Sequence, residues 1–516
     1  MPEYLSPGVY VEEIDTGNKP IEGVGTTTVG FLGQTERGPH NRPRLVTSFS
    51  EYARLFGGYI DNSFLTYSVE GYFQNGGLRC FVQRVVSDDQ NTGASSRPFA
   101  PLTVEAIGAG GWGDRVHVRI KTASLDNANR FKLVVAYFAP DITLPAAVLD
   151  PTDPTNIGNA NLVQPTLLEV YDNLSTNPSS SGYFGRRVNG MSNLVVLSSS
   201  GTTRPADTAA GNLQALTGGN NGAAIDIADY RGDPNAPPGQ KTGLAALEEI
   251  DEIALLCCPD ETLFPPITGD LVQQCEKLKD RFAILSCPES APPPANHFPP
   301  SAAISKYAAY YYPWLSVLDV RTGEERNVPP AGHMAGIYNR SDIRVGVHKA
   351  PANEVVRGIQ RLQLQVPKGQ QDLLNPRGVN VLREFVGRGN LVWGARTTSD
   401  DPDWKYINVR RLFIFVEESI EESTQWVVFE NNDEPLWARV RRSVAAFLDR
   451  LWLDGMLQGA TAEEAYFVKC DRTTMTQADI DNGKLICVIG IAPVKPAEFV
   501  IFRIGQWTGG SEVTEI

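Results

Sequence analysis

Phe64-Leu65-Thr66-Tyr67-Ser68-Val69-Glu70-Gly71-Tyr72-Phe73, then Asn75-Gly76-Gly77, then Arg79-Cys80-Phe81-Val82-Gln83-Arg84-Val85-Val86 reads as a helix, its stop and a strand. The apolar positions of the first block recur at helical spacing, Asn-Gly-Gly supplies a left-handed helix stop, and the last block is β-rich. Upstream, residues 28–31 form a short apolar strand and 48–56 another helix-period segment, so 26–86 is laid out strand–helix–strand. The rhythm returns from 242 to about 366, with helices expected over 243–250 and 271–280 and strands over 253–258 and 282–286. Between the two stretches the chain turns rich in Gly, Pro, Asn, Ser and Thr. Short alternating runs there, Val116, Val118, Ile120 and Phe131, Leu133, Val135, predict an inserted, β-sandwich-like domain.

The last third reads as a separate α+β unit. Val409, Leu412, Phe413, Val416 and Ile420 share one face of a helix over 409–422, and Glu417, Glu418, Glu421 and Glu422 crowd its C-terminal end as a solvated run. A second helix over 436–452 follows the capping stretch Asn432-Asp433-Glu434-Pro435. Two β runs, 485–491 and 498–504, flank Ala492-Pro493-Val494-Lys495-Pro496. At the start, Val9, Tyr10 and Val11 alternate as a strand would, between Pro7-Gly8 and Gly17. The expected organisation is an N-terminal extended arm (1–22), a discontinuous α/β core (23–90 and 239–380), an inserted outer domain (91–238), a C-terminal domain (381–497) and a C-terminal arm and tail (498–516).

Composition narrows the function classes. The 516 residues are 42% apolar and 21% charged, ordinary globular usage. A net charge of −14 argues against a surface that coats nucleic acid. No apolar run is long enough to span a membrane, and Met1-Pro2-Glu3-Tyr4-Leu5-Ser6 has neither the basic nor the apolar region of a secretory signal, so cytosolic synthesis is expected. The seven cysteines include no CxxC pair and read as reduced core residues; Cys257 and Cys258, neighbours in a strand, point to opposite faces. His40, His117, His297, His333 and His348 are scattered without zinc-site spacing, and no metal or cofactor is expected.

Chemistry-like motifs fail on context. Gly108-Ala109-Gly110-Gly111-Trp112-Gly113 fits GxGxxG, but strand-period residues follow it instead of the helix whose N-terminus would hold a pyrophosphate. Neither GxSxG nor a GK[ST] phosphate loop occurs. No active site assembles. The residues point to an assembly protein with extended ends suited to strand addition; the alternative is a soluble α/β enzyme with a β insertion.

Ser6-Pro7-Gly8-Val9-Tyr10-Val11-Glu12-Glu13 resembles the opening of contractile tail sheath proteins, the family shared by contractile phages, R-type bacteriocins and extracellular contractile injection systems. Further blocks follow in family order: Phe73-Gln74-Asn75-Gly76-Gly77, Trp112-Gly113-Asp114-Arg115, Tyr311-Tyr312-Pro313-Trp314, Pro329-Pro330-Ala331-Gly332-His333 and Lys349-Ala350-Pro351-Ala352-Asn353. The densest are Val392-Trp393-Gly394-Ala395-Arg396-Thr397, Asn408-Val409-Arg410-Arg411-Leu412, Gln425-Trp426-Val427-Val428-Phe429-Glu430 and Ala492-Pro493-Val494-Lys495-Pro496-Ala497-Glu498-Phe499. Two positions depart from the pattern: Asn221 stands where an aspartate is expected, and Cys257-Cys258-Pro259-Asp260 where Pro-Gly is common.

The resemblance implies a structural subunit, not an enzyme. Its core would be subtilisin-like in fold only. Subunits would stack as six-fold rings around an inner tube in a metastable extended state, and contraction would drive the tube through a target envelope. Partners would be further copies of the chain, the tube protein, and baseplate and cap proteins, with no nucleic acid and no membrane insertion. The particle would be a contractile injection system or phage-like tail assembled in a bacterial cytoplasm. Val9, Tyr10, Val11 and Ile14 at one end, and Phe499, Val500, Ile501 and Phe502 at the other, would add strands to neighbouring subunits. On the 436–452 helix Arg439, Arg442 and Arg450 lie opposite an apolar arc; because the family sets a C-terminal helix against the tube, they are the expected tube contacts.

Overall fold

An eight-stranded sheet carries the α/β core. Its spatial order is Gly389–Val392, Val379–Phe385, Ala308–Tyr312, Phe282–Ser286, Leu255–Cys257, Val29–Gly33, Cys80–Arg84, Arg44–Val46. The six central strands run parallel and the two edge strands antiparallel. Strands buried on both faces need continuous apolar runs, and Val29–Gly33 and Phe282–Ser286 are buried at every position. The computed structural model describes residues 20–125, 128–209, 211–290 and 294–501. Val9, Tyr10, Val11, Ile14 and Phe502 lie outside them.

Helices form over two of the segments where the sequence expects them, and Ala331–Arg344 adds one it did not mark. Phe49–Phe56 is capped by Ser48, whose hydroxyl accepts from Glu51 N at 3.2 Å. Leu65–Gln74 packs against Ala331–Arg344. That crossing is close because both helices carry glycine there: a Cβ on Gly332 would sit 2.5 Å from the Ser68 backbone oxygen, and one on Gly71 2.3 Å from the His333 ring.

The insertion contains two antiparallel sheets, Gln214–Ala215 with Val116–Thr122, Phe131–Tyr137 and Leu167–Leu174, and Ser96–Phe99 with Leu102–Ala106 and Val195–Ser199. Alternate residues such as Val104, Val118, Leu133 and Leu197 meet in one core between them. The glycine-rich motif is a 3₁₀ turn, Gly111–Arg115, between strands, as its context required. Asn221 supplies the acceptor an aspartate would give, taking a hydrogen bond from Gly111 N at 3.0 Å. Asp150 is buried and ion-paired with Arg119 (2.7 Å) and Lys121 (3.1 Å), which pins its segment to the sheet.

The C-terminal unit pairs helices Ile407–Ser423 and Glu434–Leu453 with a two-stranded sheet, Tyr466–Lys469 and Val488–Ile491. Leu412, Val416, Val440, Val444 and Phe447 form its core, and Ile21 from the far end of the chain joins them. The result is a mixed α/β, multidomain protein with several sheets.

Some expected limits move. Helix Ile227–Arg231 lies before 238, yet Tyr230 packs in the core and donates to Asp260 at 2.7 Å. The 380/381 boundary cuts strand Val379–Phe385, which extends the large sheet because Tyr310–Tyr312 offers it a parallel partner. The strand expected over 498–504 has no ladder through Ile501: no strand of the described residues lies beside it.

Candidate functional site

The N-terminal end of the described chain is anchored on the C-terminal unit, and its C-terminal end at the junction of that unit with the α/β core. At the N-terminal end Ile21 is buried, and the amides of Glu22 and Val24 donate to the hydroxyls of Ser423 and Ser419, both at 3.1 Å. These serines sit on the helix Ile407–Ser423, so one helix face receives the incoming chain. Next, the Thr26 hydroxyl donates to Asp342 (2.7 Å) and its carbonyl accepts from Arg411 (3.0 Å). Arg411 and Asp342 form a buried, bidentate pair at 2.6 and 2.9 Å, binding that helix to Ala331–Arg344 of the core.

At the C-terminal end the anchor is Glu498. Arg396 donates to it twice, Nε at 2.8 Å and Nη2 at 2.7 Å; Asn375 adds a bond at 2.7 Å and Tyr406 one at 3.2 Å. Partial burial pushes this carboxyl up, but the hydrogen bonds from Arg396 and Asn375 outweigh that and hold it down at about 2. Asn408 clamps the preceding turn, donating to His348 O (2.8 Å) and Val494 O (3.0 Å). The blocks around Lys349–Asn353, Asn408 and Ala492–Ala497 thus converge on one cleft of about 430 Å³. Directly after the Glu498 clamp, Phe499, Val500 and Ile501 are 71%, 68% and 78% exposed. Three consecutive apolar residues thus lie in water directly after a fixed root, without a ladder partner among the described residues.

The three arginines do not share one environment. Arg439 pairs with Glu430 at 3.2 Å and stacks over Trp426. Arg442 is exposed, with no ion-pair partner among the described residues. Arg450 donates to Ile21 O at 2.5 Å, so it helps hold the N-terminal root. Sequence reasoning missed the Glu498–Arg396 clamp and the serine pair, because their partners stand 102 and about 400 positions away. The glutamates of 417–422 are also not all solvated: burial, with Asp280, Glu421, Glu422 and Asp251 nearby, pushes Glu418 up to about 7.

An enzyme would need a base beside a nucleophile in an open cleft. His333 is buried, packed on Gly71, and burial lowers its pKa to about 4. Two buried carboxyls stand out, but internal donors meet them: Asp260 accepts from Phe64 N, Ser63 and Tyr230, and Glu261 from Ser286 N (2.6 Å) and Thr268 (3.0 Å). Among the described residues no His, Cys, Asp and Glu cluster could hold a metal, and no helix is long and apolar enough to cross a membrane.

What this anchored, many-sheeted chain is follows from its relatives. Residues 236–398 match the family model of the phage tail sheath protein central domain, and 399–506 that of the phage tail sheath C-terminal domain. Together these take in more than half of the chain, which therefore belongs to the phage tail sheath family: it is a contractile tail sheath structural protein of a phage or an injection system. It is 24% identical over 481 residues to the tail sheath protein of Burkholderia phage BcepMu, covering 88% of each chain. It is 26% identical over 283 residues to a putative prophage major tail sheath protein of Pseudomonas aeruginosa, 52% of this chain and 71% of that one. Its match to the tail sheath protein of Vibrio phage KVP40, 25% identical over 202 residues, spans only 29% of that protein's length. Among solved structures it is similar to the anti-feeding prophage helical sheath in its contracted state, with a TM-score of 0.59 and 26% identity over 98% of this chain and 99% of that one.

Proposed function

We propose that this chain is the repeating subunit of a contractile sheath, stacked as six-fold rings around an inner tube and contracting once to drive that tube through a target envelope. The single observation that carries the reading is the clamped root at Glu498 followed by exposed Phe499-Val500-Ile501. A segment presented this way can gain both backbone partners and apolar cover from another chain. The N-terminal root sits on the C-terminal unit and the C-terminal root at the junction of that unit with the core. Support for partners comes from relatives solved as a contracted helical sheath and as a baseplate. The partners in this reading are the chain itself, a tube protein, and baseplate and cap proteins.

In this reading the core keeps a subtilisin-like architecture without its chemistry; the parallel centre of the large sheet and the internally satisfied carboxyls are compatible with that. The subunit is not an enzyme, and the energy of the stroke is stored during assembly. Arg439 and Arg442 face the tube, while Arg450 serves the N-terminal root. Negative-stain microscopy of the purified chain tests the reading. Cylinders of uniform diameter are expected from the full chain and single subunits from a chain ending at Glu498; particles of a few subunits from both would refute it.

A further inference from the structure

The C-terminal unit holds a pair of thiols that the sheath reading does not use. Strands Tyr466–Lys469 and Val488–Ile491 are antiparallel, with Tyr466 opposite Ile491 and Lys469 opposite Val488. Continued by one residue, that register sets Cys470 opposite Cys487. Directly opposed residues in such a ladder have Cα atoms about 4.5–5.5 Å apart. A disulfide spans about 4.4–6.8 Å. Neighbours fix the position from both sides: Arg441 Nη1 donates to Cys470 O at 3.1 Å, and the Thr474 hydroxyl to Ile486 O at 2.8 Å.

The two thiols differ from the other five. Cys80, Cys257, Cys258, Cys275 and Cys287 are buried in the α/β core, and burial raises the pKa of each. Cys487 is only partly buried. Its hydrogen bond to Cys470 holds the Cys470 thiol below the ordinary range and Cys487 above it, so one proton is shared and the other leaves more easily.

We propose that Cys470 and Cys487 are a covalent-modification site, a dithiol that a small-molecule disulfide converts into a cross-strand bond. The Cys470 thiol first loses its proton to solvent, and the Cys487 proton then crosses their hydrogen bond to Cys470, leaving the partly buried Cys487 as the attacking thiolate. It attacks one sulfur of the reagent RSSR, forming Cys487–S–S–R and releasing RS⁻, which takes up a proton. Cys470 then loses its proton to solvent and attacks Sγ of Cys487, closing the bond and releasing a second RS⁻, which is protonated in turn. Two electrons pass from the cysteines to the reagent, and the net products are the protein disulfide and two RSH. The strand so tied, Val488–Ile491, leads straight into Ala492–Glu498, so the bond secures the root of the C-terminal arm. The proposal stands whether or not the chain contracts as a sheath.

The test treats the folded full chain with oxidised glutathione, blocks remaining thiols with N-ethylmaleimide and maps peptides by mass. Two of the seven thiols are expected to vanish, with a single linked peptide pair joining Cys470 to Cys487 and full recovery on adding dithiothreitol. Cys470→Ser should stop at a glutathione adduct on Cys487, and Cys487→Ser should form no linked pair. Retention of all seven thiols by the folded wild-type chain, or a linked pair elsewhere, overturns the proposal; mapping of the wild type decides it even if a variant fails to fold.

Discussion

Glu498 and Arg396 meet side-on, carboxylate to guanidinium, through two hydrogen bonds of 2.7 and 2.8 Å across 102 positions of sequence. The pair joins the end of the C-terminal unit to the segment just after the large sheet. It gives the last described residues, Phe499, Val500 and Ile501, a fixed origin. Glu498→Gln removes the charge and leaves Arg396 unpaired in a mostly buried setting, at a cost of about 1.5–3 kcal/mol. The chain should still fold by circular dichroism and yet give few or no cylinders under the microscope.

Two carboxyls set opposite pH dependences. Glu498 is held at about 2 against an ordinary 4.5, so the stability it contributes is present above 4.5 and lost as pH falls towards 2. Burial raises Glu261 to about 8, so its contribution is present below 4.5 and lost as pH rises through 8. The thermal midpoint of the wild-type chain should therefore fall between pH 5 and 9. Glu261→Gln should flatten that fall; an unchanged slope would place its cause elsewhere.

Residues 1–16 should serve assembly and leave folding alone, because the chain is already rooted by Ile21, Glu22 and Val24. Deleting them should yield a soluble subunit with an unaltered melting curve. Long sheaths from the deleted protein would contradict the strand-exchange reading.

The arginines should separate by experiment. Arg442→Glu touches no described partner, so stability should change by less than about 0.5 kcal/mol while assembly on tubes is impaired. Arg450→Glu should also lower the melting temperature, since it loses the Ile21 carbonyl and puts a carboxylate beside it. Normal extended sheath from an Arg439→Glu, Arg442→Glu double variant would show that this face points away from the tube.

Gly332→Val places a branched side chain where a Cβ already comes within 2.5 Å of Ser68. Overpacking of this kind costs about 1–3 kcal/mol. Chemical denaturation should show a lowered midpoint, whereas Gly369→Ala, on a helix with open space around it, should not lower it.

Local signals in the sequence determined much of this protein. Ser48, Asn75-Gly76 and Asp433-Glu434-Pro435 bound their helices through caps made within a few residues, and the period-2 runs of the insertion became strands because each alternate side chain had a core to enter. The ordered blocks from Phe73 to Phe499 identified the family for the same reason: each is a contiguous string. Tertiary structure alone decided what those strings do. It placed Tyr230 in the core ahead of the expected boundary, joined 379–392 to the large sheet, set Glu498 on Arg396, gave Arg450 to Ile21 and brought Cys470 opposite Cys487. Hydrogen bonds and ion pairs act over about 3 Å of space with no regard for separation along the chain. Residues 102 or 429 positions apart therefore leave no periodic trace in a sequence, and only the folded chain shows that they are neighbours.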